Sequence, residues 1–272
     1  MRFDLPAMAR RAGLRRSVSL APITGRKSLE AALYSAFLVA LREGEKHRAD
    51  LLRAAIGLKA ELTQDGPMFD LAMMAFRATY DRLAAIVRNM VGRHLGMEGA
   101  RHTDRWVEQV NAAIGVNLAA VVTAQDIAPA IEVATAHSVA LIKGLTDEVA
   151  KRIEATILDM VTTGKSNAAI AEAIGEAFGF GRKRAKLIAR DQAAKFNAAL
   201  NRIRQQQAGV TEYVWWTVLD ERVRGNPSGK YPNAKPSHWD RHGKTFKWSV
   251  GPADGNPGEP INCRCIARPV IG

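Results

Sequence analysis

The stretch Tyr213-Val214-Trp215-Trp216-Thr217-Val218-Leu219 decides the fold class. β-branched and aromatic residues packed this densely suit a pleated, half-buried surface, and this is the one strong strand signal in the chain. Upstream the pattern is helical. Downstream it is turn-rich, with short β candidates at 245–250 and 266–270. The chain therefore reads as α+β: a largely helical N-terminal body, then a small basic α+β module with a short antiparallel sheet.

Working backwards from that strand, Gly209 is placed to cap a helix running from Arg182 to Gln207. Before it, Gly179-Phe180-Gly181-Arg182-Lys183-Arg184 reads as a tight turn, and Ser166 opens a short helix bearing Ile170, Ile174 and Phe178. Further helices are expected from Thr146 to Thr163-Gly164, from about Pro129 to Gly144, and from Asp104 to about Val122. Phe69, Met73, Phe76, Tyr80, Leu83, Val87 and Met90 alternate four and three apart, a coiled-coil-like seam ended by Gly92 to Gly99. Leu29, Ala32, Leu33, Ala36, Phe37, Ala40 and Leu41 share one face of a helix capped by Ser28. That pattern runs on to Ile56 before the Gln64-Asp65-Gly66-Pro67 break. Residues 1–27 lack a sustained period and read as a flexible basic arm. The expected division is 1–27, a helical domain at 28–163, and a C-terminal domain at 164–272, with the boundary near 163–180.

Charge is uneven along the chain. Residues 1–27 hold seven Lys or Arg against one acid, 28–181 hold fifteen against nineteen, and 182–272 hold seventeen against seven. Two basic ends around a mildly acidic centre favour a polyanionic partner, nucleic acid first. The run Arg182, Lys183, Arg184, Lys186 and Arg190 follows a glycine turn at a helix start, a placement suited to phosphate. The same residues also suit a plain solvated helix face. No uncharged stretch reaches the length of a membrane span, so stable membrane association is not expected.

Between 225 and 262 the chain has twelve Gly or Pro in 38 residues, yet two of its five tryptophans lie there and its two cysteines directly follow. A loop of that length needs an organiser. Cys263 and Cys265 are too close in sequence for an unstrained disulfide. With His238 and His242 they offer the thiolate and imidazole donors that zinc prefers. The other reading of the two cysteines is as small buried residues of a final strand. His238, Asp240 and His242 alternate, so an extended segment would put them on one face, as a metal-dependent nuclease could use. No P-loop, GxSxG elbow, HExxH helix or dinucleotide fingerprint is present.

Taken together, the helix Ala185-Lys186-Leu187-Ile188-Ala189-Arg190-Asp191 with Asn197, the strand 214–219, Asp220-Glu221-Arg222-Val223-Arg224, Ser237-His238, His242-Gly243-Lys244-Thr245-Phe246 and Pro260-Ile261-Asn262-Cys263-Arg264-Cys265 resemble the Mu-type bacteriophage minor head (head morphogenesis) proteins. The resemblance covers roughly 165–270. It implies a virion component that is not an enzyme, located in the head interior or at the portal vertex and in the host cytoplasm before assembly. Implied partners are the portal protein, packaged double-stranded DNA and a major capsid or scaffolding protein. Many relatives carry a Cys-x2-Cys pair after the aspartate-rich turn, which with the terminal Cys-x-Cys looks like a four-ligand zinc site. Here that region reads Arg224-Gly225-Asn226-Pro227, which hands ligand duty to His238 or His242, or leaves the module pinned by strand pairing and by Trp239 and Trp248. The competing functions are the metal-dependent nuclease and a DNA-binding regulator built on the Gly181 turn.

Overall fold

A computed structural model describes residues 3–60 and 68–272. The expected break at Gln64-Asp65-Gly66-Pro67 lies outside the described residues. The elements are α1 (Leu5–Arg11), β1 (Val18–Ser19), α2 (Lys27–Glu45), α3 (Arg48–Ala60), α4 (Met68–Ile114), α5 (Ala128–Thr162), α6 (Asn167–Gln207), β2 (Glu212–Trp216), β3 (Thr245–Lys247) and β4 (Ile266–Ile271). The α+β class stands, and the strands form one antiparallel sheet in the order β1-β4-β2-β3.

The helices are fewer and longer than their glycines suggest. α4 runs through Gly92, Gly96 and Gly99, and α6 runs through Gly179 and Gly181. The expected tight turn at 179–184 is therefore helix. Close packing accounts for Gly181: a Cβ there would lie 2.9 Å from Val149 Cγ2 and 3.2 Å from Leu41 Cδ2. Gly99 is similar, with Ile127 Cδ1 2.5 Å from where its Cβ would be. Thr146 sits inside α5 and bonds back to the Lys143 carbonyl, so it caps nothing.

The true stops are glycines at positive φ. Gly164 (φ 69°) and Gly209 (φ 71°) end α5 and α6 with paired closing bonds, Lys165 N–H to Met160 O and Val210 N–H to Gln205 O. Gly115 (φ 68°) ends α4 at Ile114, eight residues short of the expected Val122. The segment after it is not helical, because Val116, Leu118 and Val122 turn into a core without periodic spacing.

The chain divides into two compact units, neither a single stretch such as 28–163 or 164–272. One comprises Met1–Leu29, Leu95–Ala134 and Asp191–Gly272; the other comprises Glu30–His94 and Thr135–Arg190. In the second unit the seam is core: Phe69, Met73, Phe76, Tyr80 and Val87 are buried, and Phe76 meets Phe178 edge-on at 5.9 Å. Arg182 pairs with Glu45 and Arg77 with Glu154.

The first unit corrects the reading of 1–27 as a flexible arm. Asp4 caps α1, Leu5 and Ala9 are fully buried, and β1 pairs with β4 through Val18↔Ile271. Leu5, Leu20 and Ile23 join Trp106, Val110, Leu118, Val210 and Ile271 in one core. The apolar residues of this segment are too few and too irregular to show a period, but each finds a site on a surface built by distant parts of the chain. Arg204, 1% exposed, is satisfied there by Thr103, the Thr123 carbonyl and Asp126.

Candidate metal centre

The expected strand is real, though shorter: β2 covers Glu212–Trp216, and Leu219 has left it with φ 53°. Tyr213 and Trp215 point inward and are fully buried. Trp215 pairs with Ala267 and Trp216 with Ile266 on β4, so the last strand is held directly after Cys265. Trp248, buried, packs on Tyr213 at 4.4 Å and donates to Gln205, whereas Trp239 is half exposed.

Three anchors shape the approach to the cysteines. Asn262, at φ 57°, donates its backbone N–H to Asp191 on α6 at 2.6 Å. Arg264 donates to both oxygens of Asp220, each at 2.6 Å. Gly258 directs its N–H at Cys263 Sγ, 3.3 Å away. With Arg264 turned outward, the two flanking sulfurs turn in together, as alternation along an extended segment requires.

Across from them, His238 is fixed by its backbone N–H to the Arg224 carbonyl and by its ring against Trp215. Nε2 lies 3.1 Å from Asp254 Oδ2, and Arg241 holds the same carboxylate through bonds of 2.7 and 3.1 Å. Asp254 can only accept when ionised, which favours the tautomer with the proton on Nε2 and the Nδ1 lone pair toward the sulfurs. Nδ1 lies 3.5 Å from Cys263 Sγ and 3.6 Å from Cys265 Sγ.

These separations test whether a metal fits. With Zn–S of about 2.3 Å and Zn–N of about 2.0–2.1 Å, a tetrahedral site has N···S edges of about 3.5–3.6 Å. The donor chemistry, the Nδ1 facing the sulfurs and the carboxylate behind the imidazole all suit zinc. The thiols are already unlike one another. Hydrogen bonding from the neighbouring Cys265 S–H lowers Cys263 despite its burial, while the Cys263 sulfur pushes Cys265 up.

The other candidates fall elsewhere. His242 is outside the cluster: its Nδ1 faces Thr217 Oγ1 at 3.0 Å and accepts from the Thr217 N–H, and its ring tilts against Trp216. The expected common face of His238, Asp240 and His242 is also absent. Trp239–Arg241 is a 3-10 turn, not extended chain, and Asp240 points to solvent. In the Arg224-Gly225-Asn226-Pro227 stretch, where many relatives carry a Cys-x2-Cys pair, Asn226 spends its side chain bracing a turn through Ser228 N–H and the Asp220 carbonyl. On α6, Lys183, Arg184 and Lys186 are exposed, while Arg182 and Arg190 are partly buried. Asp191 stood inside a quoted motif, but Asp254 and Arg241 had no sequence signal, since their roles exist only through His238.

Residues 151–268 match the family described as Phage Mu protein F like protein. That span takes in the end of α5, all of α6 and the whole His238, Cys263 and Cys265 cluster. The match is consistent with a phage head morphogenesis family, as the resemblance of the chain's ending implied. An uncharacterized protein of Haemophilus influenzae is 32% identical over 159 residues, 58% of this chain and 33% of its own length. The chain thus spans about a third of that relative. No solved structure matches the chain.

Proposed function

We propose that the protein is a minor capsid protein of a tailed phage or prophage, acting at the portal vertex and on packaged double-stranded DNA during head assembly or genome delivery. The observation that carries this reading is the family match over 151–268, which coincides with the stretch that builds the cluster and its supports. Its work is non-covalent. Lys183, Arg184 and Lys186, with Arg182 and Arg190 beside them, neutralise phosphates and release counterions, giving binding that ignores sequence and weakens with salt. A structural zinc held by His238, Cys263 and Cys265 would tie the Gly- and Pro-rich loop to the sheet.

The test is fractionation of a lysate in which heads are assembled with this protein tagged. Sedimentation with the portal and heads, and loss of that sedimentation when the portal is absent, is the expected result. Recovery only in the free soluble fraction would overturn the reading. Among the described residues no helix is long and apolar enough to cross a membrane.

A further inference from the structure

The cluster has three protein donors, and tetrahedral zinc takes four ligands. The chain's cysteines are both used, His242 is engaged by Thr217, and among the described residues no other His, Cys, Asp or Glu joins the group. His238, Cys263 and Cys265 all form part of the wall of one cleft of about 260 Å³. Structural zinc sites are closed by protein, whereas three-donor sites keep a position for a ligand from outside.

The charges of that cleft indicate the kind of ligand. Zinc with two thiolates and a neutral imidazole is uncharged overall, so an added anion must be balanced by something else. Arg222, Arg224 and Arg264 line the cleft. Arg264 and Arg222 share the single carboxylate of Asp220, and Arg224 donates to the Ile261 carbonyl and forms no ion pair among the described residues. Three guanidinium groups thus face one carboxylate. Exposed Tyr231 and Ile261 form the apolar part of the rim.

Resting on the zinc reading above, we infer that the metal is left open to the cleft and takes an exogenous phosphate-class oxyanion as its fourth ligand, with Arg222 and Arg224 compensating the charge. The phosphate is either the free ion or a terminal phosphate of nucleic acid.

Cobalt(II) replaces zinc as the probe in the purified full-length chain, because its visible spectrum reports metal binding and coordination separately. Thiolate-to-cobalt charge-transfer bands show the metal bound to Cys263 and Cys265. Their absence overturns the zinc reading and this inference with it. When the bands are present, inorganic phosphate is expected to shift the d–d bands saturably. Arg222→Ala, an exposed change that spares the donors, is expected to raise the phosphate midpoint about tenfold, the loss typical of one charge-assisted contact. Charge-transfer bands with d–d bands indifferent to phosphate would overturn this inference alone, as would an unchanged midpoint in Arg222→Ala. A 5′-phosphorylated oligonucleotide, compared with its unphosphorylated twin, separates the sources. A shift with the phosphorylated strand assigns the site to nucleic acid ends, and a shift with inorganic phosphate alone assigns it to the free ion.

Discussion

Asp191, in the middle of α6, accepts the backbone N–H of Asn262 at 2.6 Å, a bond that helps place the start of the Cys263-Arg264-Cys265 segment. Asn262 has to adopt a left-handed φ of 57° for its amide to reach α6. A carboxylate accepting a backbone N–H is a charge-assisted contact, stronger than a neutral one. Asp191→Ala should therefore lower stability by about 1.5–3 kcal/mol and reduce zinc retention. Asp191→Asn, which keeps an acceptor oxygen, should recover part of both. Thermal unfolding and metal content of the two variants check this.

The two histidines should separate cleanly. If His238, Cys263 and Cys265 hold zinc, His238→Ala and Cys263→Ser are expected to abolish its binding, whereas His242→Ala, which loses the Thr217 and Trp216 contacts, should keep an equimolar metal. Elemental analysis after dialysis reads this directly. Zinc lost on His242→Ala and kept on His238→Ala would reverse the assignment.

Buried His102 makes stability depend on pH. Burial, only partly offset by the Asn201 amide and reinforced by Arg204, Arg101 and Arg105, pushes its imidazole down to about 3 from an ordinary 6.5. The unfolded chain therefore binds a proton between those values and the folded chain does not. The stabilisation is complete above pH 6.5 and is lost as pH falls through the window toward 3. Between pH 7 and 5 the loss should be about 2 kcal/mol from this residue. Denaturant unfolding of the unmutated protein and of His102→Leu across that range should show the steeper decline only in the former.

Gly181 is held by packing. Alanine would gain about 1 kcal/mol in helix propensity but must displace Val149 and Leu41, a conflict that commonly costs about 1–3 kcal/mol. Net destabilisation of Gly181→Ala, larger for Gly181→Val, is expected in thermal unfolding.

If the exposed cations of α6 meet phosphate, then Lys183→Ala, Arg184→Ala and Lys186→Ala should each lower the salt dependence of DNA binding by roughly one unit of slope. The reduction should be the same for duplexes of unrelated sequence. Preference for one sequence would favour the regulator instead.

Legibility followed the range of the forces involved. The seam from Phe69 to Val87, the strand at Tyr213 and the stops at Gly164 and Gly209 were readable because helical spacing, β-branching and positive φ are local properties. Gly99 and Gly181 misled because a glycine needed for close approach carries the same letter as one needed for a turn. The apolar residues of 1–27 misled because their burial partners lie far along the chain.

By itself the sequence determined the α+β class and offered, as candidate donors, Cys263, Cys265 and a histidine. Tertiary structure alone decided which histidine. His238 and His242 are four residues apart and chemically identical, but a 3-10 turn between them sends one ring to Asp254 and the two sulfurs and the other to Thr217. The choice depends on Asp254, Arg241 and Trp215 converging in space, which no spacing along the chain encodes.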